Sequence, residues 1–313
     1  MPAAAASAGA APSPPTTYTA RINRVVDYID AHLAEPLDLN RLAQVAHFSP
    51  WHFHRLFHAL TGETLADRVR RRRLESAALR LLIRPPPKAL SVALDVGFAS
   101  PEVFARNFKA HFGVTPSAWQ HGAHRHWTDE RRAQMRAIHA AAREHGLPLD
   151  DAPIAPTPVV TLKTLPMRRL AYLRYVGPYG VNVIQQTWQR LIDWHERHGL
   201  PHEGYFGIGH DSPEIAAPET CRYDACVVVG DAFRPLGEIG VQQFEGGLHA
   251  CAAFDGTPDR IHAAWTFMYR DWLPSSGCQP AHGPSFESYG REIDWDRATG
   301  RFTCELCVPV RPL

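Results

Sequence analysis

Trp51, His54, Arg55 and His58 recur at i, i+3, i+4 and i+7, so on a helix they share one face. Each can donate a hydrogen bond or stack. A helix laid in the DNA major groove presents such a face to base edges, arginine suiting guanine and an aromatic ring the thymine methyl. A merely solvated helix face would seldom carry a tryptophan. A second constellation lies near the other end of the chain, in the segment Ser285 to Gly290. As a strand it points Glu287 and Tyr289 to one side and Phe286 and Ser288 to the other. A carboxylate beside an aromatic ring is a means of holding an organic cation, by charge pairing and cation–π contact. The remaining reactive side chains lack such a pattern. His210, His249 and the group His121, His124 and His126 show no ligand spacing and read as core or surface histidines. Cys304-x-x-Cys307 has the spacing of half a zinc site, but FTCELCVPV alternates like a strand, where residues three apart face opposite sides. No metal site, cofactor or catalytic residue is expected.

The elements that carry these groups can be read from apolar periodicity. Ile22, Val25, Val26, Ile29 and Leu33 mark a first amphipathic helix, and Leu39 to Ala46 a short second one. Ser49-Pro50 then starts a helix whose stripe Phe53, Leu56, Phe57 and Leu60 is buried and which Gly62 ends. A long helix from about Leu65 to Ile83 stops before Pro85-Pro86-Pro87. The next segment repeats the pattern. Phe104, Arg106, Phe108, Gly113 and Thr115 match Phe53, Arg55, Phe57, Gly62 and Thr64 at an offset of 51, while Ala93 and Phe98 match Ala43 and Phe48 at 50. Two copies of helix, tight turn and helix are thus joined by one long helix. A lone helix over residues 128–146, capped by Thr128, leads into the linker LPLDDAPIAPTP. Beyond Pro158 the chain duplicates again. Strand Arg168 to Val176, helix Val181 to His198 and strands Tyr205 to Gly209 and Arg222 to Val229 form one half. Strand Leu248 to Phe254, helix Pro258 to Trp272 and strands Ser285 to Gly290 and Phe302 to Val310 form the other, with Asp193-Trp194 matching Asp271-Trp272 at an offset of 78. The fold class expected is multidomain: an all-α twin helix-turn-helix module, then an α+β domain of two βαββ repeats around a shared antiparallel sheet. The boundaries are a disordered tail over 1–17, the twin helix-turn-helix module over 18–126, a helix and linker over 127–157, and the α+β domain over 158–313, for which the resemblance given below implies small-molecule binding.

Composition narrows the classes. With 313 residues, 45% hydrophobic and 21% charged, the chain is too apolar for wholesale disorder and long enough for two or three domains. Its apolar runs fall short of the roughly 20 residues that cross a bilayer. MPAAAASAGAAPSPP has no basic region or leucine-rich core and reads as a tail rather than a secretory signal, which makes the expected location cytoplasmic and the six cysteines reduced thiols. The net charge of +1 divides into +6 for residues 1–127, −1 for 128–155 and −4 for 156–313. Only the amino-terminal part is therefore expected to meet a polyanion. Four consecutive arginines, Arg70 to Arg73, span all sides of the long helix, so they cannot all face DNA. Pairing with Asp67 and Glu75, contact with the effector domain, and one or two phosphate contacts share them out.

SPWHFHRLFHALTGETL followed by VGFASPEVFARNFKAHFGVTPSAW resembles the twin helix-turn-helix module of the AraC/XylS family of bacterial transcription regulators, over about a hundred residues. The resemblance implies that Trp51, His54 and Arg55 read bases in the first half and Glu102, Val103 and Arg106 in the second. Arg106 and Lys109 are the only cations on the second reading helix, so that half is expected to read fewer bases, with Glu102 accepting from cytosine. From about Pro158 the segments LAYLRYVGPYG, the DSP at Asp211, CRYDACVVV, GLHACAAFDG, DWLPSSG and PSFESYG resemble the GyrI-like, effector-binding domain. That resemblance implies a ligand cleft between the βαββ units with Glu287 in it, and contact of such a regulator with double-stranded DNA, a small effector and RNA polymerase, not a membrane. Trp188, Leu191, Trp194, Trp265, Tyr269 and Trp272 are expected mostly in the core, one or two lining the cleft. Two other classes remain open for this domain: a hydrolase of reactive small molecules using Glu287 as base, and a protein-binding inhibitor module.

Overall fold

Helix starts in the amino-terminal part are set by side chains that accept from the free amides of the first turn. In the computed structural model, which describes residues 17–83, 85–144, 158–235, 237–258, 260–281, 283–296 and 299–313, Thr17 caps α1 (Tyr18–Ala31) and Asp38 caps α2 (Leu39–Val45). Ser49 caps α3 (Pro50–Thr61) and Thr64 caps α4 (Leu65–Arg80). The second unit follows as α5 (Ala89–Asp95), α6 (Pro101–Phe112) capped by Ser100, and a single turn, α7 (Pro116–Ala118), capped by Thr115. Both α3 and α6 end on a left-handed glycine, Gly62 at φ 74° and Gly113 at φ 77°. The tight turns need a left-handed residue too, and the internal match puts His47 (φ 53°) and Gly97 (φ 89°) there. A Cβ at Gly97 would meet the Leu33 carbonyl, so glycine is required only in the second turn.

Each unit has its own core. Phe53 and Phe57 pack with Leu42, Ala43, Val25 and Ile29, while Phe104, Phe108 and Phe112 pack with Val92, Ala93 and Trp119. The long α4 belongs to both, giving Leu65 and Val69 to the first core and Leu74, Ala77 and Ala78 to the second. Three expectations are corrected here. Leu60 is 47% exposed, because the first core ends at Phe57 and the last turn of α3 projects beyond it. The connecting helix ends at Arg80, with Leu81 and Leu82 already in a turn, before the prolines act. The lone helix, α8 (His124–Glu144), begins upstream of Thr128, because a π turn over Trp119–Ala123 with Gly122 at φ 112° feeds it directly. The tail expected over 1–17 lies outside the described residues apart from Thr17, and so do the end of that helix and the linker, residues 145–157.

The carboxy-terminal part runs β1 (Val160–Leu165), β2 (Arg168–Val176), α9 (Val181–His198), β3 (Tyr205–Gly209), β4 (Arg222–Val228), β5 (Gly240–Phe244), β6 (Gly247–Gly256), α10 (Ile261–Thr266), β7 (Cys278–Pro280), β8 (Phe286–Tyr289) and β9 (Phe302–Pro312). The sheet order is β1-β6-β9-β8-β3-β4-β2-β5, antiparallel throughout, with β7 on β9. Its middle, β6-β9-β8-β3-β4-β2, reads the same from either end when the two repeats are exchanged, which is the pseudo-twofold arrangement expected. The edge strands β1 and β5 and the short β7 were not legible in the sequence. The second repeat's helix begins at Ile261 rather than Pro258 and reaches Trp272 as expected, its second half wound as a π turn over Phe267–Trp272, and Tyr269 is 44% exposed rather than in the core.

The sheet has two working faces. Ala171, Leu173, Tyr205, Tyr223, Ala225, Tyr289 and Leu306 pack toward α9, with Trp188 and Leu191 among them. The opposite side carries Leu170, Tyr172, Cys226, Val228, Phe286 and Cys307, and its β2–β4 end meets α1 and α4 of the DNA-binding module.

Candidate DNA-reading faces and effector site

The face of α3 that the spacing singles out is exposed. Burial of Phe53 and Phe57 turns Trp51, His54, Arg55 and His58 outward on α3, with Trp51 77% exposed. On α6, Phe104 and Phe108 are buried and Glu102, Arg106 and Lys109 are exposed. Val103 is half-buried and packs against the second core, which limits what it can offer a base. The Ser100 hydroxyl and its own amide hold the Glu102 carboxyl below the usual range, as befits a carboxylate in the first turn of a helix.

The arginines of α4 are shared out among carboxylates. Arg70 pairs with Asp67, and Arg73 donates to the carbonyls of Leu33 and Glu35 at 2.9 Å. Arg68 and Arg71 both reach Glu63, at 3.0 and 2.7 Å, and Arg71 and Arg72 reach Glu75 at 3.0 and 2.8 Å. Arg72 also bonds Asp30 of α1 at 2.9 Å and Asp211 of the carboxy-terminal domain. From the other side Arg222 of β4 bonds Asp211 through Nε at 2.8 Å and Nη2 at 2.9 Å, and Asp30 through Nη1. Four arginines, Arg68, Arg71, Arg72 and Arg222, thus face four carboxylates, Asp30, Glu63, Glu75 and Asp211. Burial alone would raise Asp30 and Asp211, but Arg222 and Arg72 outweigh it and hold both well below the usual carboxylate range. A second buried set lies alongside. Arg174 makes a fork to Asp224 at 2.7 Å and reaches Asp27 of α1 at 2.7 Å, where the Tyr172 hydroxyl also donates at 2.7 Å. His210 completes it at 2.6 Å from Asp224.

The loop after β3 locks the two parts together. Asp211 joins the lattice, Glu214 bonds Arg132 at 2.8 Å, Ile215 is buried in the core of the second helix-turn-helix unit, and the Trp127 indole donates to the Ile215 carbonyl at 3.1 Å.

On the sheet's other face, β8 carries Glu287 and Tyr289 side by side. Tyr223 donates to the Glu287 carboxylate at 2.8 Å and Tyr289 at 3.1 Å, and Trp265 packs against the same cluster. The Trp188 indole in turn donates to Tyr223 at 3.0 Å. Burial pushes Glu287 up from the ordinary glutamate value despite these donors, and burial followed by the Glu287 charge pushes both tyrosines well up. Glu287 is half-buried as a residue, with Tyr179, Ile184, Trp265 and Phe302 half-buried around this cluster. Gly207 of β3 lies directly opposite Glu287, and a Cβ there would collide with the Tyr223 hydroxyl and the Glu287 carboxylate. Strand alternation puts Glu287 and Tyr289 on one face, as they stand here, whereas neither Tyr223 nor the α4–β4 lattice is legible in it. A glycine inside the strand YFGIG was the one available signal, since such a glycine marks close approach. Cys304 and Cys307 face opposite sides, as expected: Cys304 packs in the Glu287 cluster and Cys307 on the module side.

Two helix-turn-helix units on one chain, joined through a buried charge lattice to a sheet with a carboxylate beside aromatic rings, define a DNA-binding regulator with an appended small-molecule-binding domain. Comparison with known proteins agrees. A GyrI-like small molecule binding domain is matched over residues 158–311 and a helix-turn-helix domain over residues 42–122. The chain is 31% identical over 156 residues to a DNA gyrase inhibitor of Edwardsiella piscicida, covering 49% of this chain and 97% of that protein. It is 35% identical over 100 residues to regulatory protein SoxS of Escherichia coli K12, covering 32% of this chain and 92% of that protein. An AraC-type regulator structure from Chromobacterium violaceum is similar over 32% of this chain and 88% of that one, at 24% identity and a TM-score of 0.31. The chain belongs to the AraC-type helix-turn-helix regulators that carry a carboxy-terminal GyrI-like domain. Among the described residues no helix is long and apolar enough to cross a membrane.

Proposed function

We propose that the effector is a hydrophobic or amphipathic organic cation held by Glu287 under Tyr223, Tyr289 and Trp265, and that its binding is read out on DNA through β4. One observation carries this reading. Tyr223 and Arg222 are consecutive on β4, so one faces Glu287 while the other faces Asp30 and Asp211 at the DNA-binding module. A cation that takes over Glu287 from the tyrosine hydroxyls shifts Tyr223, and β4 carries the shift one residue along into the lattice that seats α1 and α4. Such a ligand acts only if it binds the two arrangements unequally. In this reading the bases are met by Trp51, His54, Arg55 and His58 on α3 and by Glu102, Arg106 and Lys109 on α6, with Val103 at the margin. The regulator works in the cytoplasm, on double-stranded DNA and with RNA polymerase.

The domain is a binding module rather than an enzyme in this reading. Glu287 is engaged by two phenols that are themselves pushed up, and the Cys304 thiol is pushed up by burial and then by Glu287, the opposite of an activated nucleophile. The test is calorimetry on the wild type and Glu287→Gln with a panel of cationic and neutral aromatic dyes. Loss of the carboxylate should weaken cations by about 2 kcal/mol and leave neutral dyes nearly unchanged. Unchanged affinity for every cation would remove Glu287 from the site, and chemical conversion of a dye would bring back the enzyme reading.

A further inference from the structure

On the module-side face of the sheet, away from Glu287, Cys251 of β6 and Cys307 of β9 stand directly opposite each other with their sulfurs 3.4 Å apart. Both are buried, at 1% and 0% exposure. Glu305, two residues before Cys307 and on the same face, brings a carboxylate oxygen to the pair, and the three donor atoms lie within 4.8 Å of one another. Lys163 of β1 bonds the Glu305 carboxylate. We propose that Cys251, Cys307 and Glu305 form a binding site for a thiophilic divalent d10 ion, of the class of Zn(II) or Cd(II), with the fourth position left to water.

Three observations favour an ion over other uses of this pair. Two thiolates bound to one tetrahedral zinc sit about 3.8 Å apart, from Zn–S bonds of about 2.3 Å. The observed separation is therefore about 0.4 Å short of that distance, but more than 1 Å too long for an S–S bond of about 2.05 Å. The donor set also matches a borderline-soft ion, with sulfur preferred and one carboxylate allowed. Charge closes as well: two thiolates and a carboxylate against a divalent ion and the Lys163 ammonium sum to zero, which a largely buried site requires. Entry is from the Lys163–Glu305 side, where these side chains are 43% and 38% exposed. The ion would clamp β6 to β9, and Phe286, the neighbour of Glu287, is paired with Cys307 on the next strand. This site is independent of the cation reading for Glu287.

The experiment is titration of the reduced full chain with Cd(II) in metal-free buffer, following thiolate-to-metal charge-transfer absorption and bound metal per chain. One ion per chain is expected in the wild type and in Cys278→Ser, none in Cys251→Ser or Cys307→Ser, and affinity about tenfold weaker or worse in Glu305→Gln. Since a buried Cys→Ser change can unfold a sheet, the wild type is also alkylated with and without Cd(II). Selective protection of Cys251 and Cys307, mapped by mass spectrometry, supports the site, and uniform protection or none overturns it. Peroxide-driven loss of these two thiols, with no Cd(II) uptake by the reduced chain, would overturn it in favour of a dithiol–disulfide couple.

Discussion

Replacing Asp211 by leucine leaves four arginines against three carboxylates in the lattice that joins β4 to α1 and α4. The Asp211 side chain is 1% exposed, and it accepts from Arg222 Nε, Arg222 Nη2 and the Arg222 amide as well as from Arg72. Removing one partner from such a buried set leaves an uncompensated charge, which costs about 3–5 kcal/mol. Arg222→Met alone strands Asp211 with a single arginine and should cost a similar amount. The double variant restores the balance at three and three, so its loss should fall short of the sum by about 1–3 kcal/mol. Urea unfolding followed by the summed fluorescence of the eight tryptophans reads both quantities, with Trp127 bonded to the Ile215 carbonyl at the seam. A single-variant cost below about 1 kcal/mol, or additivity within about 0.5 kcal/mol, would refute the argument that these charges are desolvated and mutually dependent.

Acid should release the same seam late. Because Asp30 and Asp211 are held well below their ordinary value of 3.8, their contribution is complete above that pH and is lost only as pH falls below it toward the depressed folded values, which a pH series of tryptophan emission would follow. Glu287 has the opposite sign: its folded value lies above the ordinary 4.5, so cation affinity should rise as pH climbs through that raised value and be flat in Glu287→Gln, as calorimetry at stepped pH would record. On the DNA side, Arg55→Ala should cost about 1–3 kcal/mol at a selected operator and little on random duplex, whereas Glu102→Ala should matter less. Equal losses on both duplexes, in electrophoretic or anisotropy titrations, would make Arg55 a phosphate contact. The footprint of one chain should cover two major-groove segments about 34 Å apart, and a single covered groove would count against two reading heads.

Local rules carried most of the helical module, because its caps, left-handed glycines and phenylalanine stripes are all short-range signals. The exposed face of α3 followed from Phe53 and Phe57 being buried. The π turns at Trp119–Ala123 and Phe267–Trp272 left no such mark, and they moved the start of α8 and turned Tyr269 outward. Strand alternation put Glu287 and Tyr289 on one face, but it could not say that Tyr223, 64 residues earlier, donates to the same carboxylate. That pairing depends on β3 lying between β8 and β4, a long-range register. The arginine run on α4 shows the same limit. Its division between Asp67, Glu75 and the effector domain was foreseeable, whereas Asp30 and Arg222 as partners required the two domains to be docked. Cys251 and Cys307 are 56 residues apart, and only the β6–β9 register brings them together.

Occupancy at Glu287 is proposed to change how α3 and α6 meet DNA. The most direct test is the affinity of the full chain for an operator selected from a random duplex pool, measured with and without a saturating cationic ligand taken from the dye panel. A change of at least about fivefold is expected in the wild type, the low end of allosteric coupling, and none in Glu287→Gln. A cation that saturates the wild-type domain yet leaves operator affinity unchanged would contradict it.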